Sequence, residues 1–143
     1  MDTINRQNVL DLLSRDWAEY VACFQALPPA AQAACLQQQG YKRLADLLAH
    51  IVAWWEVGMD YIQRYRDDPD ALQPDIDIDS FNARAVEQVS ALSDAQEIGL
   101  FESARLNFVE TIKQLTDDDF KDERILNQIK WELVNRLEDH RIK

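Results

Sequence analysis

Apolar residues recur at spacings of three, four and seven along four long stretches of this chain, and no comparably long stretch alternates apolar with polar residues as a half-buried strand would. Val9, Leu13, Trp17, Tyr20, Phe24 and Leu27 trace the first, a helix predicted from about Thr3 to Leu27 and stopped by Pro28 and Pro29. Leu44, Leu47, Leu48, Ile51, Trp55, Gly58, Met59 and Ile62 trace the second. Ile98, Phe101, Phe108, Val109 and Ile112 carry the third to about Leu115, and Ile125, Leu126, Ile129, Leu133 and Leu137 carry the last. Four amphipathic helices with nothing to build a sheet predict an all-α four-helix bundle around one core. A chain of 143 residues suits a single domain, 1–143.

The segments between the helices are uneven. Ala30 to Gln39 reads as a short polar stretch before Gly40. The long irregular connection, Arg66 to Ser80, separates the second and third main helices, so these two can run the same way in an up-down-down-up order as readily as the four helices can simply alternate. Asp75, Asp77 and Asp79 have the spacing that opens a calcium loop, but Ser80 stands where the turn glycine belongs and Val86 at the twelfth position. The alternating Ile76 and Ile78 instead predict a loop pinned to the bundle with its aspartates in water. Ser80 to Ala91 predicts a short helix, and Ser93 with Gln96 or Glu97 a capping box for the third main helix. Thr116 to Asp119 predicts an acidic start to the last one.

A formal net charge of -11 repels phosphate backbones and anionic headgroups, which argues against nucleic acid and membrane surfaces as partners. The opening MDTINRQNVL has no basic segment followed by an apolar run, and no apolar stretch is long enough to span a bilayer, so a cytoplasmic protein is expected. Cys23 and Cys35 lack the Cys-x-x-Cys spacing of a redox pair and read as small buried apolar residues.

Several polar residues fall where apolar ones are expected. Arg136 and His140, four residues apart, project from the apolar side of the last helix, with Glu132 one turn before Arg136 and within its reach. His50 lies beside the stripe of the second helix, in a flanking line with Asp46, Trp54, Val57 and Tyr61 that a neighbouring helix can cover. Arg105 points toward the apolar face of the third. A partly buried Glu132–Arg136 pair with a core histidine is the plain structural reading, and core packing is the plain reading of the aromatics.

Three segments resemble the DinB-like superfamily of four-helix bundles and, within it, the ClbS and DfsB branch: DLLAHIVAWWE (Asp46 to Glu56), DIDIDSFNARAV (Asp75 to Val86) and RLEDH (Arg136 to His140). The resemblance implies a divalent metal, zinc, nickel or manganese, held by one histidine of the second helix and two of the last. His50 and His140 match two of those positions, whereas Arg136 stands at the third. A guanidinium has no lone pair to give. At about 4 Å and an effective dielectric near 20 it opposes a divalent cation by about 8 kcal/mol.

The sequence therefore favours a core pocket that takes a small polar or acidic molecule, with His50, Trp54, Tyr61, Arg105, Glu132, Arg136 and His140 as its candidate residues and no cofactor. Two alternatives stand beside it. One is the enzyme that the resemblance implies, a metal-dependent hydrolase or thiol transferase acting on a reactive small molecule, or a metal-free hydrolase with His50 or His140 as base and Arg105 or Arg136 stabilising negative charge. The other is a non-enzymatic module that dimerises or binds a partner.

Overall fold

The computed structural model describes residues 4–142, and among these every regular element is a helix. The predicted first helix is broken. α1 spans Arg6–Ser14, capped by the Asn5 side chain, and α2 spans Tyr20–Gln25; Thr3 lies outside the described residues. Between them the chain turns, with the Trp17 N–H bonding back to Leu12 O at 3.0 Å. The break conserves helical phase, so Val9, Leu13, Trp17, Tyr20 and Phe24 all reach the core as predicted.

The stretch read as polar is a helix, α3, Pro29–Gln39. Pro29 starts it without losing a needed donor, and Gly40, at φ 87°, ends it in the left-handed conformation that favours glycine. Only Cys35 and Leu36 are buried on it, too few to give a periodic signal. Cys35 is buried as expected, but Cys23 is exposed, because α2 turns Tyr20 and Phe24 inward and leaves Cys23 on its outer side.

α4, Leu44–Asp67, is the central element and packs against α5 (Ile78–Gln88), α6 (Asp94–Gln114) and α7 (Glu123–Ile129). The capping box forms as predicted: Ser93 Oγ accepts from Gln96 N–H, and Gln96 Oε1 accepts from Ser93 N–H. The last main helix starts later than its acidic approach suggested. Thr116 and Asp119 cap each other across a 3-10 turn (Asp119–Lys121), and Asp122 caps α7.

End-to-end contacts give the directions. Ala45 N–H donates to Asp94 at the starts of α4 and α6, and Arg66 donates to Gln114 O at their ends, so the two run in parallel. Arg6 at the start of α1 donates to Leu115 O beyond the end of α6, and Arg124 at the start of α7 donates to Tyr65 O near the end of α4, so α1 and α7 run against them. The Trp17, Trp55 and Phe101 rings meet in the core, Trp17 edge-on to Trp55 at 4.8 Å. No helix of the described residues is long and apolar enough to cross a membrane.

After α4 the irregular chain is held by one arginine: Arg124 donates to Asp68 O, Ala71 O and Tyr65 O. Of the two isoleucines expected to pin this segment, Ile76 packs against the core but Ile78 is 59% exposed, because it opens α5 instead of lying in the loop.

After α7 the helix loosens into a π-helical turn, Lys130–Asn135, before α8, Arg136–Asp139. Arg136 N–H bonds to Trp131 O, five residues back. The carbonyl of Glu132 instead accepts the Trp55 indole N–H at 3.0 Å, and Leu133 O accepts that of Trp17 at 3.0 Å. Two fully buried tryptophans thus bond to the backbone of the widened turn, satisfying their own polar edges.

Candidate functional site

The wide turn faces the middle of α4, and four of the polar residues singled out in the sequence meet there. Glu132 is 1% exposed and His50 7% exposed. Arg136 donates through Nε (3.1 Å) and Nη2 (2.6 Å) to the single oxygen Glu132 Oε1, and its guanidinium carbon lies 5.5 Å from the centre of the Trp54 ring. Glu132 fits because Gly58 has no side chain: a Cβ at position 58 would lie 2.6 Å from both Cγ and Oε2 of Glu132. Oε2 is buried and has no hydrogen-bond partner. Burial pushes the Glu132 carboxyl above the usual carboxylate range, and Arg136 only partly opposes this.

His50 Nε2 and His140 Nε2 are 3.1 Å apart. His140 Nδ1 lies 2.9 Å from Gln39 Oε1, an acceptor, so Nδ1 carries the His140 proton and Nε2 is bare. His50 must then donate from Nε2, which leaves its buried Nδ1 without a proton or a partner. Burial holds both rings well below the ordinary histidine value. His50 falls to about 3, through burial first and then the neighbouring His140 and Arg136, with the Asn82 amide acting the other way. His140 falls to about 4, through burial and then Arg136.

These residues do not fit a divalent ion. Arg136 Nη1 sits 3.5 Å from His50 Nε2, placing a fixed positive charge where a metal would share the imidazole nitrogens. Glu132 Oε1 is occupied by Arg136, and the tautomer that would free His50 Nε2 would bury an N–H at Nδ1 without an acceptor. Among the described residues no three metal-ligating side chains gather in one place.

A cavity of about 480 Å³ opens beside this cluster, lined by His50, Trp54, Tyr61, Glu132 and Arg136 among the expected residues, and by Asn82, Gln128 and Trp131, which sequence reasoning did not select. Asn82 Oδ1 accepts the Trp54 indole N–H at 2.7 Å, which sets the orientation of both side chains. Gln128 is buried, and neither its amide nor the Tyr61 hydroxyl makes a hydrogen bond among the described residues. A polar residue three positions after Ile125, within the apolar stripe of the last helix, was the available signal for Gln128. His140 lies behind His50 and does not line this cavity. Arg105 is elsewhere: it pairs with Glu102, donates to Leu13 O at 3.1 Å and does not line the cavity.

The chemistry follows from this inventory. The cavity offers hydrogen-bond donors at Arg136 Nη1, Gln128 and Tyr61, while its one buried carboxylate already neutralises its one guanidinium. No family model matches the chain, and neither the curated proteins nor the solved structures include a match to it.

Proposed function

We propose that this protein is a DinB-like bundle, with the up-down-down-up order of its main helices, whose former metal position has become a binding pocket for a small polar molecule. The observation that carries the reading is the polar lining that the bundle leaves open: the Gln128 amide and the Tyr61 hydroxyl make no hydrogen bond among the described residues and line the cavity, where a bound molecule with acceptor oxygens can pair with them. Charge balance refines the ligand. Glu132 cancels Arg136 and Asp75 stands on the cavity wall, so an uncharged carbonyl oxygen suits the pocket better than a carboxylate does.

Catalysis by the histidines is the weaker reading. Imidazoles at about 3 and about 4 are poor proton acceptors near neutral pH, where an effective general base has a value close to the working pH. A metal-dependent hydrolase or thiol transferase requires Arg136 to leave Glu132 and the imidazoles. A role confined to dimerisation leaves the polar lining unexplained.

Two measurements test the proposal. Amide chemical-shift mapping with acetamide is expected to move the signals of Gln128 and Arg136, and to lose that response in Gln128→Leu, Tyr61→Phe. Elemental mass spectrometry of protein expressed with added zinc, nickel and manganese is expected to find almost no metal per chain. Close to one ion per chain, lost in His50→Ala, His140→Ala, would overturn the reading and restore the metalloenzyme.

A further inference from the structure

The cavity has a second half that the polar floor does not use. Its mouth is bordered by Trp131, 57% exposed, and Ile78, 59% exposed, with Pro74 and Ile76 on the same wall. Single exposed apolar residues are ordinary on a protein surface. Here two of the five most exposed large apolar side chains flank one opening, on elements far apart in sequence, the π-helical turn and the start of α5. A third, Leu72, 84% exposed, lines the neighbouring depression together with Trp131.

From the polar floor to the rim the lining thus changes from hydrogen-bond donors to a flat indole and branched aliphatic groups, with the exposed Gln73 and Asp75 beside them. The geometry points to a ligand of matching polarity: a small amphiphile with an uncharged carbonyl head at Arg136 and Gln128 and a flat apolar body against Trp131 and Ile78. This rests on the pocket reading above and names its ligand class. The volume of about 480 Å³ suits one such molecule, since small-molecule sites run from roughly 300 to 1,000 Å³. An aromatic body gains both area burial and stacking on the indole.

The test compares acetamide, benzamide and toluene as probes, titrated into the isotope-labelled full chain and followed by amide chemical shifts. The proposal expects benzamide to bind at least tenfold more tightly than acetamide, and Trp131→Ala, Ile78→Ala to erase that difference while acetamide binding persists. Both side chains are more than half exposed, so the double variant retains the core, and its dispersed amide spectrum verifies this. Equal affinity for acetamide and benzamide in the unaltered chain would overturn the amphiphile but leave the polar pocket standing. Toluene binding as tightly as benzamide, with Gln128→Leu without effect, would overturn the amphiphile together with the polar floor. No response to any probe at the pocket residues would overturn both.

Discussion

Replacing both histidines with glutamine, His50→Gln and His140→Gln, is expected to flatten the acid side of the stability profile. The sign follows from proton counting. Both imidazoles have folded values below the ordinary 6.5, so the unfolded chain binds more protons than the folded one as pH falls below that value. Stability that is complete above about 6.5 therefore declines on acidification, down to about 4 for His140 and about 3 for His50. At pH 5, each ring sits 1.5 below its unfolded value of 6.5 and is still neutral when folded. At about 1.4 kcal/mol per pH unit this costs about 2 kcal/mol for each ring, or up to about 4 kcal/mol for the pair. That is a large part of the roughly 5–15 kcal/mol that holds a domain together. Urea unfolding at pH 7, 6 and 5, followed by tryptophan fluorescence, measures it. Carboxylates contribute equally to both proteins, so the difference between their pH slopes isolates the imidazoles, whatever the glutamines cost at pH 7. Parallel curves for the two proteins would refute the assignment of His50 and His140 as a buried neutral pair.

Two further predictions concern the pair beside them. Gly58→Ala is expected to destabilise by about 1–3 kcal/mol, because the added carbon meets Glu132 at 2.6 Å, whereas Gly99→Ala, with open space around it in α6, is expected to gain about 0.5–1 kcal/mol; thermal denaturation of both checks the sign. Arg136→Met leaves Glu132 buried without its cation and is expected to cost about 3–5 kcal/mol at pH 7, while Glu132→Leu, Arg136→Met together come close to the parent. Urea midpoints for the two singles and the double read this directly, and a double variant as weak as Arg136→Met would refute the ion-pair account.

The long helices were legible because burial alone writes their pattern: every apolar residue at the centre of the α4 stripe, from Leu44 through Ile62, packs in or against the core, with Met59 half-buried at its edge. The cluster of Glu132, Arg136, His140 and His50 was legible for the complementary reason, since polar side chains on an apolar face need partners. What escaped were features set by contacts distant in sequence. The turn after Ser14 keeps the phase of its neighbours and so leaves no mark on periodicity. α3 is stabilised by its ends more than by an apolar face. The π-helical turn depends on indoles from α4 and from the turn after α1, which no reading of Lys130 to Asn135 reveals. Arg105 faces inward as its spacing implied, but its depth stops at a rim contact with Leu13 O instead of reaching the pocket.

The widened turn also fixes what lengths this chain tolerates. Its hydrogen bonds run to fixed donors on other helices, Trp17 and Trp55, so the turn sets the angular position of everything after it. Adding one residue between 130 and 135 would swing Arg136 and His140 by about 100° about the helix axis and withdraw them together from Glu132, His50 and Gln39, whereas removing one lets the wide turn relax to an ordinary helix with both side chains near their present direction. Point substitutions at this site act on single contacts, whereas one added codon acts on all of them at once. Added length in this segment is consequently more tightly constrained than the identity of Lys130, whose side chain faces water.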